Sequence, residues 1–176
     1  MQQRESGKDL CLPCGEGLVN LRVGAIIEKN GKLLMAGNRR HPEYLYTVGG
    51  RIRFGETIQE AVLREVFEET GVQMEIDRLG FVHENFFYGD IPSNQGKLIQ
   101  EFSFYFYMKT PEDFEPVSDR FEENGQEEVL VWIDPKDPIR YYPEFLRTAW
   151  DRRDGSVRYF ATDDRSKEGQ TDGNSL

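Results

Sequence analysis

The chain has 176 residues, of which 38% are hydrophobic and 12% aromatic, so we expect one globular domain with its own core. Its formal net charge is −10, which disfavours non-specific binding to nucleic acid, because that binding depends on neutralising phosphates. No apolar run approaches a membrane span, and the N-terminal residues MQQRESGKDL lack the hydrophobic segment of a secretory signal, so we expect a cytoplasmic protein that binds no membrane.

Hydrophobic patterning predicts the elements in the following chain order. A strand over residues 19–28 leads through an Asn30-Gly31 hairpin turn to a return strand over 32–37 and a short strand over 45–48. A helix over 58–70 follows, then one or two strands within 74–87, strands over 98–108 and 128–133, a helix over 143–152 and a last strand over 156–161. This order predicts an α+β fold in which helices pack on a mixed sheet.

The most informative segment is GRIRFGETIQEAVLREVFEETGV, residues 50–72, which sets a glycine, a glutamate and an Arg-Glu-x-x-Glu-Glu group at fixed spacing. Thr57 and Glu60 form a capping box, which predicts that a helix begins after Thr57. Gly71 can take the left-handed conformation that ends helices, so the helix is predicted over 58–70.

Three carboxylates crowd the C-terminal half of this helix. Glu65 and Glu69 continue its apolar stripe and should point toward the protein body, with Glu68 at the edge of the stripe. The three repel one another at the negative end of the helix dipole, and only Arg64 offsets them, through an i,i+4 pair with Glu68. A bound cation would supply the missing positive charge, and carboxylates suit Mg²⁺ or Mn²⁺. The alternative is a solvated acidic face.

The segment resembles, at every fixed position, the signature of the Nudix hydrolases, which cleave nucleoside diphosphates linked to another moiety. One flanking residue departs from the family pattern, because Val48 stands where a proline usually precedes the two glycines. The resemblance implies an α/β/α sandwich in which the signature forms a loop, a helix and a loop beside a mixed sheet. It places a Nudix domain over residues 18–162, after a partly flexible segment 1–17 and before a polar tail 163–176 that we expect to be disordered.

The resemblance also assigns roles to residues of the signature. Glu68 and Glu69 are the first candidates for metal ligands, and Glu65 is a further ligand or the general base. Glu56 would be another ligand or would orient Arg64. The implied catalytic residues are Glu65, Glu68 and Arg64. The implied metal ligands are Glu56, Glu65, Glu68, Glu69, Glu128 and the backbone carbonyl oxygen of Gly50. The carbonyl oxygen of Gly49 is the alternative to that of Gly50.

The implied reaction is attack of water at phosphorus. Mg²⁺ or Mn²⁺ would neutralise phosphate charge and lower the pKa of a bound water, and a glutamate would take the proton. Many members of the family use a base or an extra ligand from a distant loop. Glu127 and Glu128, at the start of a predicted strand, are the candidates here, and an ordinary loop acid is the alternative.

Basic side chains near the signature are candidates for contacts with the substrate. Arg22, Arg39 and Arg51 could bind phosphates, as could Arg40 and Arg53, although most arginines of this kind are plain surface charges. The substrate class stays open among nucleoside triphosphates, dinucleoside polyphosphates and nucleotide sugars.

Aromatic residues after the signature bear on the substrate. Tyr88 lies sixteen residues after Val72, where family members that act on diadenosine polyphosphates often carry a tyrosine. Phe87 stands where members that act on ADP-ribose often carry a proline, which disfavours ADP-ribose. Tyr44 and Phe86 could also stack on a base, although core or rim packing is the more common role of such rings.

The pair Cys11 and Cys14 precedes the first predicted strand. No second cysteine pair follows and the histidines are His41 and His83, so a closed four-ligand zinc site is not evident. We expect two small residues in a partly flexible segment. A metal shared across a dimer is the alternative.

Other functions remain open on the same fold. A Nudix-fold protein that binds a nucleotide metabolite without catalysis would normally lack signature glutamates, and all of them are present. An enzyme similar to isopentenyl-diphosphate isomerase would need a cysteine inside the domain, and RNA decapping is disfavoured by a short, acidic chain. We expect a small phosphorylated nucleotide as the partner and no nucleic acid. The resemblance leaves a homodimer open, because dimers are common in the family.

Overall fold

The computed structural model describes residues 7–39, 41–90, 93–117, 120–123, 126–151 and 154–166. The first half forms β1 (Cys11–Cys14), β2 (Gly17–Ile26), β3 (Glu28–Lys29), β4 (Lys32–Asn38), β5 (His41–Thr47), β6 (Gly49–Arg51) and helix α1 (Ile58–Thr70). The second half forms β7 (Glu75–Tyr88), β8 (Leu98–Lys109), β9 (Arg120–Glu123), β10 (Gln126–Ile133), β11 (Tyr141–Tyr142), helix α2 (Leu146–Ala149) and β12 (Arg158–Asp163).

The strands are divided between two mixed sheets. The first has the order β1-β2-β8-β7-β12, with β6 paired to β2, and the second has the order β11-β5-β4-β10-β9, with β3 paired to β4. In the first sheet β2 runs parallel to β8, whereas β7 and β8 are antiparallel. The predicted α+β fold with mixed strand pairing is confirmed, and it consists of two sheets.

Strand β8 lies between two apolar cores because its side chains alternate. Phe106 belongs to the cluster that includes Val62 and Val66 of α1. Tyr105 and Tyr107, on the other face, belong to the cluster that also includes Leu146 and Ala149 of α2. One core therefore holds α1 against the sheets, and the other holds the segment around α2.

Helix α1 begins and ends at the predicted residues. The hydroxyl of Thr57 accepts a hydrogen bond from the Glu60 backbone N–H at 3.1 Å, and the Glu60 carboxylate accepts one from the Thr57 N–H at 2.8 Å. Gly71 ends the helix with a φ of 73°. The capping box and the glycine stop are thus both confirmed.

Helix α2 is much shorter than predicted. The pattern over 143–152 predicts a helix of ten residues, but only Leu146–Ala149 is helical, and residue 152 lies outside the described residues. Phe145 instead stacks on Phe160 of β12, with ring centroids 4.4 Å apart. Residues 143–145 still turn, because their carbonyls accept hydrogen bonds from the N–H groups three residues later at 3.1–3.2 Å. Neither helix in the described ranges is long and apolar enough to cross a membrane.

The described N-terminal residues pair with neighbouring elements. Strand β1 pairs antiparallel with β2, so Cys11 and Cys14 lie in a hairpin. Upstream of β1, the Leu10 N–H donates to the carbonyl of Ile52 at 2.8 Å, and the Phe54 N–H donates to the carbonyl of Lys8 at 2.8 Å. At the other end β12 reaches Asp163, and residues 167–176 of the expected tail lie outside the described residues.

Candidate active site

An open cleft of about 1020 Å³ is lined by strands of both sheets and by the C-terminal half of α1. From the signature it includes Arg51, Glu65, Glu68 and Glu69. From outside the signature it includes Arg22, Tyr88 and Glu128, which the sequence also singled out. The fold therefore gathers most of the predicted site residues on one surface.

The two glycines of β6 allow the glutamates of α1 to approach the backbone. The Gly49 N–H donates to Glu69 Oε1 at 2.9 Å in a buried contact. A Cβ atom on Gly50 would lie 2.5 Å from the carboxyl carbon of Glu65, so only glycine leaves room for that carboxylate. Glu65 is 8% exposed and Glu69 is 6% exposed, as their place in the apolar stripe predicts. Glu68 is more open, with 44% of its side chain exposed.

Arg64 holds the other acids of the signature in place. Its guanidinium binds Glu56 through Nε at 3.0 Å and Nη2 at 2.7 Å. Its Nη1 binds Glu65 at 2.5 Å and Glu68 at 3.2 Å, which confirms the predicted i,i+4 pair. The Nη2 atom also donates to the carbonyl of Arg51 at 3.0 Å. One guanidinium thus contacts three carboxylates and offsets only part of their charge.

These contacts shift the pKa values of Arg64 and Glu56. Burial lowers the pKa of Arg64, but the hydrogen bonds that it donates to Glu56 and Glu65 outweigh this, and the pKa is raised. Burial raises the pKa of Glu56, but the hydrogen bonds from Arg64 and from the Arg53 N–H outweigh it, and the pKa is lowered. Both groups therefore carry their charges at neutral pH.

The donor set at the end of α1 fits a hard cation. Glu65, Glu68 and Glu69 offer carboxylate oxygens at the wall of the cleft, and the missing Cβ of Gly50 lets the Glu65 carboxylate lie against the backbone. Within the described ranges no three acidic, histidine or cysteine side chains are already grouped closely enough to hold a metal ion. Because Arg64 Nη1 is bonded to both Glu65 and Glu68, a cation would require those carboxylates to turn toward it.

Glu128 and Glu127 have different environments. Glu128 is 3% exposed and lines the cleft, where it accepts hydrogen bonds from Asn38 Nδ2 at 2.7 Å and from the hydroxyl of Tyr46. Glu127 is exposed and pairs with Arg39 at 2.8 Å, and the hydrogen bond from Arg39 lowers its pKa. Of the two predicted candidates, Glu128 alone is in the cleft. Arg39 is not among the described residues that line it.

The remaining arginines lie beside the acids. Arg53 lines the cleft and pairs with Glu68 at 3.3 Å. Arg51 Nε donates to Asn20 at 3.2 Å, and its Nη1 lies 3.7 Å from Asp9. Arg22, Arg51 and Arg53 therefore bring three positively charged guanidinium groups to the end of the cleft beside α1. Arg40 lies outside the described residues.

A row of polar side chains that sequence reasoning missed crosses the first sheet, and its two middle members, Glu101 and Asn85, line the cleft. Asn20 on β2 pairs in register with Glu101 on β8, which pairs with Asn85 on β7, which pairs with Thr162 on β12. Glu101 accepts hydrogen bonds from Asn20 at 2.8 Å and from Ser103 at 3.2 Å. The signal in the sequence was weak, because it consists of single polar residues in four distant strands.

His83 lies next to this row. Its Nε2 is 2.9 Å from the hydroxyl of Thr162, and it lines the cleft while only 6% exposed. Burial lowers the pKa of His83, and the negative charges of Glu101 and Asp164 oppose that shift without reversing it. The imidazole is therefore neutral at pH 7.

Aromatic side chains of the second sheet form part of the cleft wall. Tyr44 and Tyr142 meet edge to face, with ring centroids 5.5 Å apart. The guanidinium of Arg140 lies over the ring of Tyr142, 5.3 Å from its centroid. The cleft thus has acids and arginines near α1, and rings and neutral polar groups elsewhere.

Two curated relatives match this chain over short stretches. A stretch of 50 residues is 40% identical to the NAD-capped RNA hydrolase NudC of Pasteurella multocida, and it covers 28% of this chain and 19% of that protein. A stretch of 52 residues is 42% identical to an ADP-ribose pyrophosphatase of Methanocaldococcus jannaschii, and it covers 28% of this chain and 31% of that protein. The matches thus span less than a third of either relative.

The fold as a whole also has known counterparts. A mutator MutT protein from Bacillus halodurans superposes with a TM-score of 0.58 and 17% identity, over 84% of this chain and 92% of that one. At this identity the likeness shows the fold alone. A model of the NUDIX domain matches residues 19–160, which is most of the chain. The protein is therefore a member of the Nudix hydrolase family.

Proposed function

We propose that the protein is a divalent-metal-dependent pyrophosphohydrolase, which cleaves a pyrophosphate bond in a nucleoside diphosphate derivative by attack of water at phosphorus. The observation that carries this proposal is the presence of the signature acids and three arginines on one cleft. Held by Glu65, Glu68, Glu69 and the carbonyl of Gly50, with Glu56 as a further ligand, Mg²⁺ or Mn²⁺ would neutralise phosphate charge and polarise a water.

The side chains of the cleft have separate tasks in this proposal. Arg22, Arg51 and Arg53 bind the phosphates, which a local positive charge can do despite the net charge of −10. Glu65 takes the proton of the attacking water. Arg64 orients Glu65 and also Glu68 through the contacts that it makes with both.

Glu128 is our second candidate for the proton acceptor, or for an additional metal ligand. It belongs to the second sheet and is held by Asn38 and Tyr46, so its position does not depend on the Arg64 cluster. Glu65→Gln and Glu128→Gln, compared by pH–rate profile, separate the two: loss of the acidic limb identifies the base.

The proposed activity is tested first with a panel of substrates and metals. Release of phosphate or nucleotide is measured with and without Mg²⁺ or Mn²⁺ from nucleoside triphosphates, dinucleoside polyphosphates, nucleotide sugars, NADH and ADP-ribose. ADP-ribose stays in the panel because one relative is named for it, although Phe87 disfavours it. Metal-dependent cleavage of one class supports the hydrolase and names its substrate. No turnover with clear binding of a nucleotide would favour the non-catalytic reading.

Glu69→Gln tests the site within that activity. We expect turnover to fall by at least about a hundredfold with the folded structure intact, because the amide keeps the contact with the Gly49 N–H but loses the charge that a cation needs. Glu112→Gln, which removes an exposed acid from a loop, is the matched control. Normal turnover in Glu69→Gln would show that the assigned site is wrong.

A further inference from the structure

The amide of Asn85 contains a polar atom that the signature chemistry does not use. Asn85 lies on β7 and lines the cleft. Its Oδ1 is buried and accepts no hydrogen bond from any residue in the described part of the chain. A buried acceptor without a donor is costly, and native proteins seldom keep one, so this atom suggests a group that binds there.

Asn85 lies at a defined distance from the phosphate end of the cleft. Arg22 is on β2, Glu101 on β8 and Asn85 on β7, and these strands are consecutive in the sheet. Neighbouring strands are about 4.8 Å apart, and Asn85 lies two residues along β7 from His83, which is level with Arg22, so the backbone positions of Arg22 and Asn85 are roughly 12 Å apart. That separation accommodates a ribose between a phosphate group and a base.

Flat surfaces for a base are available on both sheets. Phe87 and Tyr88 follow Asn85 on β7, and Tyr44 and Tyr142 line the cleft from the second sheet. Aromatic rings stack on any nucleobase, because every base has a π face. Stacking therefore supplies affinity, and the identity of the base must be read by a polar group such as the amide of Asn85.

We propose that Asn85 selects the base of the bound nucleotide and favours one that directs an amino group at its buried oxygen. This inference rests on the proposed function, because it requires a nucleotide in the cleft. The Oδ1 atom accepts from the 6-amino group of adenine or the 4-amino group of cytosine, and Nδ2 donates to the adjacent ring nitrogen. In the orientation that buries Oδ1, the oxo groups of guanine and uracil would place one acceptor against another.

Calorimetric titration of the full chain with AMP, CMP, GMP and UMP in the absence of metal measures this preference without turnover. We expect AMP and CMP to bind at least about tenfold more tightly than GMP and UMP, because the wrong base leaves buried polar groups unpaired. Tighter binding of AMP or of CMP would identify which of the two amino bases fits the cleft, and either result supports the inference. Equal affinities, or no binding of any of the four at millimolar concentration, would overturn it.

Asn85→Asp provides a sharper test because it replaces a donor with an acceptor. A carboxylate opposes the ring acceptor of adenine but accepts from the N1–H and N2–H donors of guanine. We expect the ratio of AMP to GMP affinity to invert in this variant. Asn30→Asp, which adds the same charge on an exposed turn, should keep the wild-type ratio. An unchanged ratio in Asn85→Asp would refute the role of Asn85.

This inference and the proposed function can fail independently. A clear base preference in calorimetry, with no hydrolysis of any pyrophosphate, supports the role of Asn85 and overturns the hydrolase. Metal-dependent hydrolysis that is equally efficient for matched adenine and guanine substrates supports the hydrolase and overturns the role of Asn85.

Discussion

Arg64 determines how the acids of the signature are arranged. Without its guanidinium, Glu56, Glu65 and Glu68 would repel one another, and Glu68 also lies toward the negative end of the helix dipole. With it, each carboxylate has a fixed donor, and the group is oriented before a substrate arrives. The residue is thus a positioning residue for the proposed ligands.

Arg64→Lys should lower activity strongly although the charge is kept. A lysine ammonium is a single point charge, so it cannot bind Glu56 through two nitrogens and also reach Glu65 and Glu68. We expect a loss of about 10–100-fold in kcat or in metal affinity, which is typical of residues that orient metal ligands. The measurement is turnover against Mn²⁺ concentration.

Arg158→Lys is the matched control for that experiment. Arg158, the first residue of β12, forms an ion pair with Asp154, which precedes the strand. Arg158 is not among the described residues that line the cleft. If Arg64→Lys and Arg158→Lys both keep wild-type turnover, the guanidinium fork has no role in orienting the acids.

The unit formed by β6 and α1 converts a local sequence pattern into a site. Strand β6 pairs with β2, and the C-terminal turns of α1 pack against it, so Glu65 and Glu69 meet the backbone of Gly49 and Gly50. The departure at Val48 does not disturb this unit, because Val48 is fully buried in the core that holds α1. The close approach of helix to strand is therefore the element on which the site depends.

Gly50→Ala should lower the activity strongly and the stability of the folded protein only moderately. The added methyl group would lie 2.5 Å from the Glu65 carboxyl carbon and would displace that carboxylate. We expect at least about a tenfold loss of kcat with a loss of about 1–3 kcal/mol in the free energy of unfolding, as for other overpacked sites. Turnover and urea denaturation are measured together.

Gly55→Ala is the comparison for Gly50→Ala. Its Cβ would meet no atom within 4 Å, but its φ of 90° strains any other residue. This variant should lose stability and keep most of its kcat. Wild-type kcat in Gly50→Ala would mean that Glu65 does not need its present position.

At the scale of the whole molecule, the buried His83 makes the stability of the folded protein depend on pH. Burial lowers its pKa in the folded state below the ordinary value of 6.5, so protonation favours the unfolded chain. Its contribution to stability is complete above pH 6.5 and is lost as the pH falls toward the folded-state pKa. Glu101, Asp164 and Thr162 are the groups that face it.

His83→Gln should reduce the pH dependence of unfolding. Glutamine keeps a polar group near the hydroxyl of Thr162 but does not titrate, so the fall in the thermal midpoint between pH 7.5 and pH 5.5 should be smaller than in the wild type. The midpoints are measured by calorimetry at both pH values. An equal fall in the two proteins would mean that other groups account for the acid sensitivity.

The N-terminal residues extend the domain beyond the matched family region. The match begins at residue 19, yet Lys8 and Leu10 bond to the signature loop and Asp9 lies 3.7 Å from Arg51. This segment therefore supports a residue that we expect to bind phosphate. The expected cytoplasmic location and the homodimer stay predictions.

The sequence alone determined the parts of the protein that depend on near neighbours in the chain. The capping box, the glycine stop and the i,i+4 pair of Arg64 with Glu68 each join residues a few positions apart, so their spacing predicts their geometry. The family and its fold follow from the same signature. The predicted second helix was too long, and the stacking of Phe145 on Phe160, fifteen residues away, was not visible in the pattern.

The tertiary structure alone decided which residues from distant strands share the cleft. Strand pairing has a period of two, so a shift of one residue would have turned Asn85 and Glu101 away from the cleft. The pairing that sets Asn20, Glu101, Asn85 and Thr162 in one row joins positions far apart in the chain. The same register buries Glu128 and exposes its neighbour Glu127, a choice that composition and spacing cannot make because both residues are glutamates.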